Sequence, residues 1–295
     1  MKREISRLLT ILVVLLLGLG VSIAKASAVE PDGDGNYPLW VGDTRVSETN
    51  KNNVLGDTGT PTVIYNPETN TLTLNNPTIT GMKETYVTES LIKFQVYYLD
   101  SESDDLFTIE GTGTIGGIYC SDNLVLNGNF TVTNERLPIY CWNHVGISGG
   151  TIKISSDNKM GGILASNVTI SDGTVTVEGE IYARGSYGDV IISGKNTAVS
   201  VTSEDYQAIG AQEKVLIING AKVTAEGREC GISGWRQGEV CIHGAETVVE
   251  AKATSTEAEN VFAITAGSVG IFGGTVTAQA TSSTGGLVFA VLTVC

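Results

Sequence analysis

Six residues carry most of the chain's capacity for recognition: Tyr119, Tyr140, Tyr182, Trp142, Arg184 and Trp235. Each tyrosine follows an isoleucine by one position (Ile118, Ile139 and Ile181), while Trp142, Arg184 and Trp235 follow Ile139, Ile181 and Ile232 by three. On a strand whose isoleucine points inward, both offsets point outward. Flat rings beside polar groups stack on the apolar C–H faces of sugars, and exposed aromatics mark contact surfaces when they cluster. The chemistry this set predicts is non-covalent binding of polysaccharide, with these six side chains as ligand contacts. The competing expectation is a structural or adhesive module, in which the rings shield strand edges.

Other chemistries are poorly supplied. Glu135, Asp157, Glu178, Glu180, Glu204, Asp205, Glu226, Glu229 and Glu250 recur near one corner of a repeat. Stacked carboxylates repel one another, and Ca²⁺, which takes roughly six to eight oxygens, would relieve that repulsion. A solvated, screened turn explains the same pattern. Calcium is therefore the one cofactor the sequence admits, and nothing requires it. Glycoside hydrolysis needs two carboxylates facing each other across a bond, and lyase chemistry needs a base beside charge-neutralising groups. Acids scattered along turns, with Arg184, Arg228 and Arg236, assemble neither, so no catalytic residue is assigned and a polysaccharide lyase or glycoside hydrolase is the least favoured class. His144 and His243 lack companions for a transition-metal or nucleophile site.

The elements that must position these residues are written as a repeat. Leu-Thr-Leu-Asn-Asn (72–76), Phe-Thr-Ile-Glu-Gly (107–111), Leu-Val-Leu-Asn-Gly (124–128), Val-Gly-Ile-Ser-Gly (145–149) and Val-Thr-Ile-Ser-Asp (168–172) share one phrase. Val-Ile-Ile-Ser-Gly (190–194), Leu-Ile-Ile-Asn-Gly (216–220), Val-Cys-Ile-His-Gly (240–244) and Val-Gly-Ile-Phe-Gly (269–273) continue it. From Ile109 the steps are 17, 21, 23, 22, 26, 24 and 29 residues. Such a period marks a solenoid, in which each repeat buries its apolar face only against its neighbours. A second strand follows the glycine, as in Gly-Thr-Val-Thr-Val (173–177), and a third centres on Ile118, Ile139, Ile163, Ile181, Ile209, Ile232 and Ile264. The fold expected is all-β: a right-handed parallel β-helix of three-strand coils of about 17–29 residues, with Ile147, Ile170, Ile192 and Ile218 shelved above one another. Glycine recurs at the corner because a tight bend there favours positive φ.

Two positions after the third-strand isoleucine stand Cys120, Cys141, Ala165, Ala183, Ala211, Gly234 and Ala266, all small and expected inward. Cys120 and Cys141 would be neighbours ~5 Å apart in Cα, within disulfide range. A disulfide and a pair of buried thiols fit equally well. Five cysteines cannot all pair internally, and Cys295 is left over.

Lys2, Arg3 and Arg7, an apolar run from Leu8 to Ile23 and Ala26-Ser27-Ala28 form an export leader over 1–28. The run is shorter than the roughly 20 residues that span a bilayer, so the mature chain is expected to be secreted or cell-surface associated, without membrane insertion. Residues 29–76 are expected to form an N-terminal β cap and entry strand, and 77–295 the β-helix. Leu287–Leu292 is expected either to fold back as a lid or to lead into further chain. The leader holds four bases and one acid, so its removal takes the formal charge from −14 to −17. An acidic body repels nucleic acid and anionic membranes, so no nucleic-acid partner is expected; the partner expected from the outward aromatics is polysaccharide or a cell-surface glycan.

Ile-Ser-Gly-Gly-Thr-Ile (147–152), Ile-Ser-Asp-Gly-Thr-Val (170–175) and Ile-Phe-Gly-Gly-Thr-Val (271–276) resemble the bacterial secreted β-helix proteins of the carbohydrate-binding, pectate-lyase-like domain family. The stretch from Leu39-Trp40-Val41-Gly42 to Leu72-Thr73-Leu74 is similar to the opening module of large surface proteins of gut-type anaerobes. The resemblance implies a lyase scaffold without lyase activity that binds plant-type polysaccharide and calcium. Its matching residues are core and turn positions.

Overall fold

The computed structural model describes residues 28–87, 90–100, 105–159, 161–235, 238–255, 257–258, 261–281 and 288–290. Residues 1–27 of the expected leader, and Cys295, lie outside them. Aliphatic side chains alternate with Thr, Ser and Asn along most segments, the pattern of a strand with one dry face. Every regular element among the described residues is accordingly a strand, and the coils stack in parallel as a β-solenoid of about seven turns.

The first face carries two ladders. Leu124, Val145, Val168, Val190, Val215, Val240 and Val269 lie rung above rung, as do Leu126, Ile147, Ile170, Ile192, Ile217, Ile242 and Ile271. The second face stacks Val175, Val199, Val223, Val249 and Val276. The third stacks Val96, Ile118, Ile139, Ile163, Ile181, Ile209, Ile232 and Ile264. These ladders meet in one continuous core. Each aliphatic side chain withdrawn from water contributes roughly 1.5–3 kcal/mol, so the column is the main stabilising element.

Two details correct the reading of the repeat. Ile217, not Ile218, occupies the ladder between Ile192 and Ile242. The chain recovers through Asn219 (φ 59°) and Gly220 (φ 83°), and the steps around this coil become 25 and 25 residues, from 192 to 217 and from 217 to 242. The first two strands are also not always separate. Through Leu106–Ile115, Asn123–Asn134, His144–Ser156 and Asn167–Glu178 they run on as one strand bent at glycine. Gly150 shows why: φ is +81°, and a Cβ there would lie 1.8 Å from the Gly128 carbonyl oxygen below. Later coils insert real turns, where Thr197 and Thr247 bury their side chains and donate their hydroxyls to the carbonyls of Ser193 and His243.

Antiparallel pairs stand at the N-terminal ends of the first and third faces. Asn36–Val41 pairs with Thr44–Ser47 and with Val96–Tyr98; Val63–Asn66 pairs with Thr71–Asn75, which then lies parallel to Leu106–Ile115. A buried polar bridge joins this region to the first coil. Tyr65 donates its hydroxyl to Asn70 Oδ1, and Asn70 Nδ2 donates to the Tyr98 hydroxyl, each at 2.9 Å. The run Leu91–Tyr98 divides at Gln95. Ser90–Phe94 forms a hairpin with Lys83–Val87, and Val96–Tyr98 is the first rung of the third sheet. Val288–Ala290 lies parallel to Val261–Thr265 as the next rung, so this part of the apolar tail extends the third sheet instead of folding back.

Cys120 and Cys141 are register partners, buried, and free thiols. The Cys141 thiol donates to the Asp122 carbonyl at 2.8 Å, and burial beside Cys141 pushes the Cys120 thiol well above its ordinary range. Cys230 is also buried and Cys241 half-buried, both as thiols.

Candidate functional site

The Ile-Tyr and Ile-Leu pairs of the third strand place a second column on its outer side. In register it reads Tyr97, Tyr119, Tyr140, Leu164, Tyr182, Gly210, Ser233 and Thr265. Rings one rung apart stack: Tyr97 on Tyr119 with centroids 4.5 Å apart and planes 11° apart, and Tyr119 on Tyr140 at 5.6 Å and 22°. Such pairs add about 0.5–1.5 kcal/mol beyond the area they bury.

The hairpin Lys83–Val87/Ser90–Phe94 roofs this stack. Val87, Ile92 and Phe94 pack with Leu137 against Tyr97, Tyr119 and Tyr140, forming a small core outside the coil. Tyr119 and Tyr140 are outward on their strands, yet each is only 5% exposed. They are packing residues and cannot present open faces to a ligand. Docking of a hairpin from elsewhere in the chain removes them from the surface.

The other four expected contacts remain accessible in different degrees. Trp142 is 55% exposed and Trp235 37%, both held at the same offset in the third sheet. The Trp142 amide donates to the Cys120 carbonyl at 3.0 Å and the Trp235 amide to the Ala211 carbonyl at 2.8 Å. The Trp142 indole nitrogen donates to the Tyr119 hydroxyl at 2.9 Å, so the ring leans back onto the roofed stack. Arg184 lays its guanidinium over the Tyr140 ring, 4.6 Å from the centroid, and donates to the Tyr140 hydroxyl. Tyr182 is half-buried and accepts a hydrogen bond from the Gln212 amide. Trp142 and Trp235 stand four rungs apart, roughly 19 Å along the axis at ~4.8 Å per rung.

A cleft of about 280 Å³ opens where the roof ends, lined by Ile92, Arg136, Asn158, Glu180, Tyr182 and Asp205 among others. Of these, the sequence pattern marks only Tyr182 as a contact and places Glu180 and Asp205 within a general acidic column. Glu180 differs from the other acids. Burial is the main cause that raises it to about 7; the nearby Asp205 carboxylate adds to the rise, and the Gln207 amide donating at 2.6 Å opposes it. Gln207 is itself buried, and its Oε1 has no hydrogen-bond partner. No local signal in the sequence distinguishes Glu180, because Gln207 lies in the next coil, 27 residues on.

Four other acids of the column each meet one base. Glu178 meets Lys153 at 3.2 Å, Glu204 meets Lys159 at 2.8 Å, Glu229 meets Arg228 at 2.9 Å and Glu250 meets Lys252 at 2.7 Å. No group of three or more His, Cys, Asp or Glu side chains among the described residues could hold a metal ion.

Fold and surface together define an all-β parallel β-solenoid with a roofed aromatic column and an open cleft on its third sheet. Comparison with known proteins gives no matching family model, no matching curated protein and no matching solved structure.

Proposed function

We propose that this protein is a non-catalytic β-helix that binds polysaccharide along the outer side of its third sheet, as a secreted or cell-surface protein. The observation that carries the reading is the line of accessible flat groups on one rigid face: Trp142, Arg184 and Trp235 at a common offset, with Tyr182 beside a cleft. Rings held by a backbone ladder lose little entropy when a sugar stacks on them, and the rung spacing of ~4.8 Å approximates the advance of an extended polysaccharide. Retention of the protein on insoluble polysaccharides, or on a glycan array, tests this reading. Retention on at least one glycan, reduced at least tenfold in Trp142→Ala and Trp235→Ala, is expected; no retention on any glycan overturns it.

The burial of Tyr119 and Tyr140 under the hairpin favours a second reading, a structural or adhesive module whose aromatics serve packing. In that case the tryptophan substitutions change stability and leave glycan retention at background.

A further inference from the structure

The aromatic part of the outer column stops at Tyr182; the next rungs offer only Gly210, Ser233 and Thr265. The roof covers Tyr119 and Tyr140, so Tyr182 is the ring of this column that meets the cleft. At about 280 Å³ the cleft is close to the lower end of small-molecule sites, which run roughly 300–1,000 Å³. That size suits a single ring and its substituents, with the rest of a polymer lying along the sheet.

Charge selects among sugars. The cleft holds two carboxyl groups, Glu180 and Asp205, against one guanidinium, Arg136; Tyr182 is the other titratable group lining it. The nearby Lys159 is committed to Glu204 at 2.8 Å. Glu180 is poorly hydrated, holds a 2.6 Å hydrogen bond from Gln207, and adjoins the unsatisfied amide oxygen of that residue. Sugar hydroxyls can donate to the Glu180 and Asp205 carboxyl oxygens that line the cleft. A uronate carboxylate would be placed against them in a chain of formal charge −14, and once Glu180 has lost its proton, above about pH 7, like charges brought together in a partly desolvated cleft oppose binding.

Resting on the binding reading above, we infer that the cleft is a subsite for uncharged sugar residues and discriminates against uronates. Tyr182 supplies the stacking platform, and Glu180 and Asp205 accept hydrogen bonds from ring hydroxyls.

The test compares retention of the full chain on immobilised xylan, mannan and β-glucan with retention on polygalacturonate, at pH 5.5 and pH 8. The expected result is at least tenfold stronger retention on one neutral polymer than on polygalacturonate at pH 8, with a smaller ratio at pH 5.5, where Glu180 holds its proton. Glu180→Gln with Asp205→Asn should raise polygalacturonate retention severalfold while circular dichroism stays that of the parent. Preferential retention on polygalacturonate, or a preference unaltered by the double substitution, overturns the selectivity and leaves binding at the face intact. Retention on no polymer overturns both this inference and the binding reading.

Discussion

The indole N–H of Trp142 donates to the hydroxyl of Tyr119, 2.9 Å away in the preceding rung. An exposed ring is thereby anchored to a buried one, and burial together with the neighbouring Tyr97 pushes the Tyr119 phenol up to about 12, so it stays protonated at neutral pH. The contact gives Trp142 a fixed pose on the surface. Tyr119→Phe keeps the stack and removes the acceptor. It should lower stability by about 0.5–1.5 kcal/mol in urea unfolding, whereas Tyr119→Ala, which empties the roofed core, should cost about 3–5 kcal/mol. Equal losses for the two would show that the ring's packing contributes nothing.

Glu180 should leave a signature in the pH dependence of stability. Its carboxyl titrates at about 7 in the fold against an ordinary value of 4.5, so between these values the folded chain holds a proton that the unfolded chain has released. Its contribution is fully present below pH 4.5, falls by on the order of 3 kcal/mol as the pH rises to about 7, and is level above that. Glu180→Gln should flatten this part of the profile relative to the parent. A parent-minus-variant difference that does not change over this window would contradict the assigned environment.

The ladder predicts unequal sensitivity at adjacent isoleucines. Ile217 is wholly buried in register with Ile192 and Ile242, while Ile218 pairs with Ser193 and His243 outside that column. Ile217→Ala should cost about 2–5 kcal/mol by loss of packing and the cavity left behind. Ile218→Ala should cost less than half as much, measured on the same denaturation curves.

Glycine at the corner should be intolerant where the carbonyl below occupies the space of a Cβ. Gly150→Ala combines a φ of +81° with an oxygen 1.8 Å from the added carbon, whereas Gly33 has nothing within 4 Å. Gly150→Ala should lower the melting temperature by several degrees or abolish soluble expression, and Gly33→Ala should leave both unchanged.

These contrasts show what the sequence could convey. Val168 and Ile170 alternate with Asn167, Thr169 and Ser171, so their inward phase is legible without coordinates. At Val215-Leu216-Ile217-Ile218 either phase fits the hydrophobic pattern, and only the left-handed turn at Asn219 and Gly220 settles it. Tyr119 and Tyr140 read correctly as outward, because alternation fixes direction, but direction is not exposure. Their cover comes from a hairpin upstream in the chain, a contact that no local pattern encodes. Glu180 was hidden for the same reason: its burial and its hydrogen bond to Gln207 arise from stacking of separate coils.

Affinity electrophoresis through gels containing a soluble neutral polysaccharide tests the binding face most directly, with the parent compared with the Trp142→Ala, Trp235→Ala double variant. The account predicts that the parent is retarded in proportion to polymer concentration and that the folded double variant migrates as in an empty gel. Equal retardation of the two proteins would contradict the assignment of the third sheet as the binding face.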